Sequence, residues 1–144
     1  MKVFIADDSE VVCQRLVDIL SELPGIEIVG QAGDVAEAIK SIQELHPDAV
    51  VLDVRMAGGS GIDVLKSIKK SEPTPVAIML TNYPYAQYRK RCIDEGADFF
   101  FDKSSEFERV AEVIGQLAED SHNETSSDTK PKPQIKSKGS RKRR

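Results

Sequence analysis

Short apolar runs alternate with segments of helical period along most of this chain, and that alternation restricts the fold more than any other feature. Lys2 to Ala6, Ile26 to Ala32, Ala49 to Leu52, Val76 to Leu80 and Phe99 to Phe101 read as strands by their unbroken or alternating apolar character. Between and after them, apolar residues recur every three or four positions. Val12, Leu16, Ile19, Leu20 and Leu23 form one such face, and Ala38, Ile39, Ile42 and Leu45 another; Phe107, Val110, Ile114 and Leu117 form the last. Ser9 is a helix cap for the first face, and Asp34-Val35-Ala36-Glu37 has the form of a capping box. Further helices are expected from about Ile62 to Ser71 after the flexible string Gly58-Gly59-Ser60-Gly61, and from about Pro84 to Asp94 before Gly96. Ser104 or Ser105 is the expected cap of the last helix. Pro24-Gly25, His46-Pro47 and Pro73-Thr74-Pro75 punctuate the pattern. Five βα units on short links imply an α/β fold: a doubly wound, five-stranded parallel sheet with helices on both faces. Ala49 to Leu52, apolar on both sides of the strand, fits a position covered from both faces.

The periodicity ends near Asp120. Residues 1–120 are therefore read as one domain and 121–144 as a disordered basic tail. Charge divides at nearly the same place. Residues 1–129 carry 12 Lys and Arg against 24 Asp and Glu, whereas residues 130–144 carry eight Lys and Arg and no acid. The tail has no interleaved aromatic to stack on bases. By composition it is a solvated tether, a sequence-indifferent contact for nucleic-acid phosphates, or a contact for anionic lipid or the domain's own acidic surface. No apolar run is long enough to span a bilayer, and the N-terminus lacks the form of a signal peptide, so the expected location is cytoplasmic. Cys13 and Cys92 form no metal or redox motif.

Four of the apolar runs lead into polar residues. Asp7-Asp8 follow the first, Asp53 the third and Thr81 the fourth, and Lys103 stands just beyond the fifth. In a parallel sheet these positions share the carboxyl edge, where open α/β sheets bind ligands. Each alone is an ordinary loop or cap signal; together they point to a divalent cation and a phosphoryl group. Clustered carboxylates repel, and a hard cation such as magnesium relieves this with few protein ligands. A carboxylate beside such a cation can be a nucleophile towards phosphorus. Lys103 is a compact charge for a phosphoryl oxygen and Thr81 a hydrogen-bond donor. Neither His46 nor His122 lies near these positions in sequence, which disfavours a Ser-His or Cys-His hydrolase.

At these residues the chain resembles the receiver domain of two-component response regulators. The strings are Phe4-Ile5-Ala6-Asp7-Asp8-Ser9, Val51-Leu52-Asp53-Val54-Arg55-Met56, Gly59-Ser60-Gly61-Ile62-Asp63-Val64-Leu65, Met79-Leu80-Thr81, and Gly96-Ala97-Asp98 leading to Lys103. The resemblance implies a flavodoxin-like (βα)5 fold with strand order 2-1-3-4-5. That order is carried over from a chemotaxis member of the family, a standard example of this fold, and is not something the spacing shows. The resemblance also implies Asp53 as phospho-acceptor from a histidine kinase or phosphotransfer protein. Magnesium would be bound by Asp8, Asp53 and the backbone carbonyl of Arg55, with Asp7 acting mainly through water. Thr81 and Lys103 would contact the phosphoryl oxygens, and Thr81 and Phe100 would form a switch that reshapes the face of the fourth helix, fifth strand and fifth helix.

Several residues depart from the commonest pattern of the family. Phe100 stands where Tyr is frequent, Asn82 where a small residue is usual, Met56-Ala57 where Met-Pro is common, and Ser104 where Pro follows the lysine. The family's Lys-Pro bond is typically cis, which leaves the isomer of Lys103–Ser104 open. Arg55 and Tyr83 occupy positions that tune loss of the phosphoryl group. The reading is a single-domain response regulator that modifies itself, turns over no separate substrate and signals through a downstream protein. The alternative is a receiver whose basic tail gives nucleic-acid output. A magnesium phosphatase with an aspartyl nucleophile is disfavoured because Arg55 stands where many need a second Asp. The sequence leaves open whether phosphorylation drives a homodimer.

Overall fold

The central strand has no polar side chain on either face, so both of its faces need covering. In the computed structural model, which describes residues 1–123, that strand is β3 (Ala49–Leu52) and all four of its residues are buried. It pairs in parallel with β1 (Lys2–Ala6) on one side and with β6 (Val76–Thr81) on the other. β2 (Glu27–Ala32) and β7 (Phe99–Asp102) complete the sheet, in the order β2-β1-β3-β6-β7. Counting only these five strands, this is the expected 2-1-3-4-5 order, and the flavodoxin-like fold is as expected.

Helices α1 (Glu10–Ser21) and α5 (Arg109–Asn123) cover one face. There Cys13, Leu16, Leu20, Phe107, Val110 and Ile114 pack on Val3, Ile5, Val51 and Ile78. Helices α2 (Val35–Leu45), α3 (Gly61–Ile68) and α4 (Ala86–Asp94) cover the other, packing on Phe4, Val50, Leu52, Met79 and Phe100. β2 serves both layers, with Ile28 against one core and Val29 against the other. A register irregularity between Val3 and Phe4 accompanies this pairing. Among the described residues, no helix is long and apolar enough to cross a membrane.

The caps explain where most helices begin. Ser9 Oγ accepts from Val12 N–H at 3.2 Å, as expected. Asp34 Oδ1 accepts from Glu37 N–H at 2.8 Å, but a reciprocal bond from Glu37 is not among the described hydrogen bonds. The capping box is at α3 instead. Ser60 Oγ accepts from Ile62 N–H at 3.0 Å, and Asp63 Oδ2 accepts from Ser60 N–H at 3.3 Å. The glycine string expected to be a flexible turn is thus structured. It contributes β5 (Gly59–Ser60), which pairs antiparallel with β4 (Arg55–Met56). Gly96, with φ +102, ends α4 in a conformation that a side chain would resist.

The last helix departs most from expectation. Neither Ser104 nor Ser105 caps it, and it starts at Arg109. Asp102 Oδ1 accepts from Ser104 N–H at 2.9 Å and from Ser104 Oγ at 2.7 Å, while Glu106 Oε1 accepts from Asp102 N–H at 2.9 Å. These bonds hold the segment after β7 in turns and delay the helix. The helix continues through Asn123, beyond the limit expected at Asp120. The rest of the expected disordered tail lies outside the described residues. The Lys103–Ser104 bond is trans; among the described residues the cis bond is Glu72–Pro73.

Candidate phosphoryl and metal site

Each strand end delivers one part of the site. Parallel registry aligns the ends of β1, β3, β6 and β7, so residues remote in sequence meet at one edge. Backbone bonds extend that registry past the strands. Asp7 N–H donates to Ala32 O at 3.0 Å, Asp53 N–H to Ala6 O at 3.0 Å, and Lys103 N–H to Thr81 O at 2.9 Å. The side chains are therefore placed by the sheet itself and not by long loops.

Lys103 is the hub. Its Nζ lies 2.7 Å from Asp7 Oδ2 and 2.9 Å from Asp53 Oδ2, and all three side chains are buried. One carboxylate oxygen from each of Asp7, Asp8 and Asp53 falls within 4.8 Å of the others. Asp8 is exposed, so the cluster opens to solvent on its side. Asp53, Asp8 and Lys103 face a cleft also lined by Ser9, Arg55, Met56, Ala57, Asn82 and Tyr83. Three carboxylates with one open side form an all-oxygen, partial coordination shell, which suits a hard ion that keeps some waters and phosphate oxygens. Asp7 is engaged twice, accepting from Ser9 N–H at 2.8 Å as well as from Lys103. That leaves it less free than Asp8 for direct coordination.

Burial sets the electrostatics. It pushes the Asp7 carboxyl above its ordinary range and outweighs the opposing hydrogen bonds from Lys103 and Ser9. Burial also opposes the Lys103 ammonium, yet the hydrogen bonds to Asp7 and Asp53 prevail and hold its pKa above the ordinary value. Folding thus favours the protonated Asp7. Its contribution to stability is present below the ordinary carboxylate pKa of about 3.9 and is lost as pH rises through the folded value. Asp7→Asn is accordingly expected to raise the melting temperature at pH 7 in chelator, with the gain fading below about pH 4. Thermal unfolding at the two pH values checks this; a lower melting temperature for the variant at pH 7 would contradict it.

Thr81 is completely buried, and its Oγ1 accepts from Tyr83 N–H at 3.0 Å. The hydroxyl proton is still available to a second partner. Phe100 is also buried, with the Arg89 guanidinium 5.5 Å from its ring centroid. The Arg55 guanidinium lies 4.7 Å from the centroid of Tyr83, so the two side chains meet along the cleft. Arg55 N–H reaches Asp53 Oδ1 at a long 3.4 Å. Cys13 and Cys92 are buried; Cys13 Sγ donates to Asp7 O at 3.4 Å, and burial pushes both thiols up to about 11.

Sequence reading missed Gly61. A Cβ there would stand 1.8 Å from Asp53 O and 2.8 Å from Asp53 C, and Gly61 N–H donates to Val54 O at 2.8 Å. The start of α3 is pressed against the backbone of the central aspartate. The Ser60-Gly61-Ile62-Asp63 pattern is a capping-box signal and could have shown that this string is anchored.

This fold and edge define a receiver domain, and the model for the response regulator receiver domain matches residues 3–115. The chain belongs to that family. Among curated proteins it is 35% identical over 114 residues to the DNA-binding transcriptional activator DevR/DosR of Mycobacterium tuberculosis, covering 79% of this chain. It spans only 52%, about half, of that relative's length. Among solved structures, the response regulator domain of Thermotoga maritima CheB superposes with a TM-score of 0.72 at 28% identity, covering 91% of this chain and 98% of that one. A chain of the CheX–CheY–BeF3–Mg complex of Borrelia burgdorferi gives a TM-score of 0.69 at 28% identity, over 79% and 89% of the two chains.

Proposed function

We propose that Asp53 accepts a phosphoryl group from a phosphohistidine of a histidine kinase or phosphotransfer protein, in a magnesium-dependent reaction. The observation that carries this reading is the placement of Asp53. Its carboxylate is at the carboxyl edge, facing the cleft, with Lys103 Nζ 2.9 Å from Oδ2 and the Asp7 and Asp8 carboxylates beside it. The similar Borrelia burgdorferi complex includes BeF3 and magnesium, which supports the same chemistry.

Asp8, Asp53 and the backbone carbonyl of Arg55 would hold the magnesium, with Asp7 acting through water. When bound, the ion supplies positive charge that offsets the carboxylates and the incoming phosphoryl oxygens. A carboxylate oxygen of Asp53 attacks phosphorus in line; the O–P bond forms as the donor's N–P bond breaks, and the imidazole leaves with the bonding pair. Lys103 holds Asp53 before transfer and pairs with a phosphoryl oxygen afterwards. Thr81 donates its hydroxyl proton to another. Movement of Thr81 towards the phosphoryl group, with Phe100 behind it, would carry the change to α4, β7 and α5. On this reading the chain turns over no separate substrate, and its output is a downstream protein.

Intact mass after treatment with a small acyl-phosphate donor and magnesium should show one phosphoryl adduct on the wild type and none on Asp53→Asn. An equal adduct on the variant would move the acceptor elsewhere. The same assay times the loss of the group. Arg55 and Tyr83 together restrict water at the cleft, so the Arg55→Ala/Tyr83→Ala double variant should lose its phosphoryl group on the order of tenfold faster, a barrier change of about 1.4 kcal/mol. Equal rates would remove these side chains from control of the lifetime.

A further inference from the structure

The domain's surface charge is segregated between its two helical layers. Glu10, Gln14 and Asp18 on α1 and Glu22 at its C-cap stand at fourfold spacing, and all four are exposed. Glu108, just before α5, stands in the same spacing with Glu112, Gln116 and Asp120 on it, again all exposed. In both rows the glutamine donates to the next acid: Gln14 Nε2 to Asp18 Oδ1 at 2.8 Å and Gln116 Nε2 to Asp120 Oδ1 at 3.0 Å. The two helices pack side by side, with Leu23, just past α1, against Gly115. The glutamines break each run of like charge, and the pairs that remain at fourfold spacing, Asp18 with Glu22 and Glu108 with Glu112, are mildly unfavourable until a cation neutralises them.

The cations of these two helices do little of that. Arg15 lies over Phe107 at 3.9 Å and Arg109 over Phe101 at 5.2 Å. Among the described residues, Glu112 is the one acid of the two rows with a cation within pairing distance, Arg109 Nε at 3.7 Å. The other layer is different: Lys66, Lys69 and Lys90 pair with Glu95, Asp98 and Asp94. Apart from Glu112, the acids of these rows thus have no paired cation among the described residues, and the same chain carries eight Lys and Arg with no acid in residues 130–144.

We propose that segment 130–144 lies along the acidic rows of α1 and α5. Both helices run back from the carboxyl edge, so Asn123, at the end of α5, and Glu22, beside the end of α1, lie away from the phosphoryl site. Residues 124–129 then reach up to roughly 20 Å, and 130–144 up to about 50 Å, at 3.3–3.6 Å per residue. The 15 residues of α5 extend only about 22 Å. The segment is long enough to follow the rows back to Glu10 and Glu108, at the starts of the two helices. Tethering keeps its local concentration high without a second molecule. The domain's own acids thereby compete with external polyanions for the segment. This inference is independent of whether Asp53 is phosphorylated.

The test uses the full chain, isotopically labelled, beside a full-chain variant with Lys136, Lys138, Arg141, Lys142, Arg143 and Arg144 changed to Gln. Amide signals of residues 10–22 and 108–120 should differ between the two, with those of α2, α3 and α4 unchanged. The difference should be independent of protein concentration and collapse near 1 M NaCl, where the screening length is about 3 Å. No difference, a difference centred on another layer, or one that grows with protein concentration (a second copy) would overturn the proposal. In a second arm, Glu108→Lys/Glu112→Lys should bind a short DNA duplex several-fold more tightly than the wild type at low salt. Equal binding would mean that the segment is not held by the domain.

Discussion

Lys103→Met is expected to lose nearly all phosphoryl acceptance and, in chelator, about 3 kcal/mol of stability. The lysine is the one cation among the described residues paired with the buried carboxylates of Asp7 and Asp53, at 2.7 and 2.9 Å. Methionine keeps the length and apolar stem and removes only the charge. The remaining carboxylates must then repel each other, take up a proton or bind a cation. Magnesium should therefore restore part of the lost stability. It should not restore acceptance, which needs a charge at the phosphoryl oxygens during transfer; loss of such a group costs on the order of 100-fold or more. Urea unfolding with and without magnesium, beside the mass assay, separates the two effects. Unchanged stability in chelator would show that the carboxylates do not depend on Lys103.

Gly61→Ala is expected to be nearly as damaging, although position 61 touches no reacting group. The added Cβ would stand 1.8 Å from Asp53 O, a separation no relaxed side chain tolerates. Because the obstacle is backbone, either Asp53 or the start of α3 must move. Overpacking of this kind costs about 1–3 kcal/mol. Asp53 is the proposed acceptor and needs in-line placement, so acceptance should fall by roughly 100-fold for a displacement of about 1 Å. Gly115→Ala is the matched control. Its Cβ meets only Leu23 methyl carbons at 3.8 and 3.9 Å, and a mid-helix glycine gives way to alanine with a gain of about 0.5–1 kcal/mol. Similar behaviour of the two variants in unfolding and acceptance would refute the role given to Gly61.

The strands were legible because each is a short apolar run with a clear stop. The N-caps at Ser9 and Asp34 were legible because capping is local. Asp7, Asp8, Asp53, Thr81 and Lys103 group from sequence because parallel strands place their carboxyl ends on one edge. The start of α5 was not legible. Ser104 has the right chemistry for a cap, but the Asp102 carboxylate takes both its N–H and its hydroxyl. Two local signals competed, and the strand that aims Asp102 decided between them. The string at Gly58–Gly61 read as loose because glycine is permissive alone. Its order comes from a partner strand, a capping box and the backbone of Asp53.

By itself, then, the sequence determined the βα alternation, the stops of its strands and which side chains stand at their ends, since these depend on neighbours a few residues away. Only the tertiary structure decided that Lys103 bridges Asp7 and Asp53 while Asp8 faces solvent. It alone showed that Arg55 meets Tyr83 along the cleft and that Gly61 must lack a side chain. It also separated the acidic layer of α1 and α5 from the paired charges of α3 and α4. Those are distances between residues far apart in the chain, and packing the two helical layers on the sheet is what sets them.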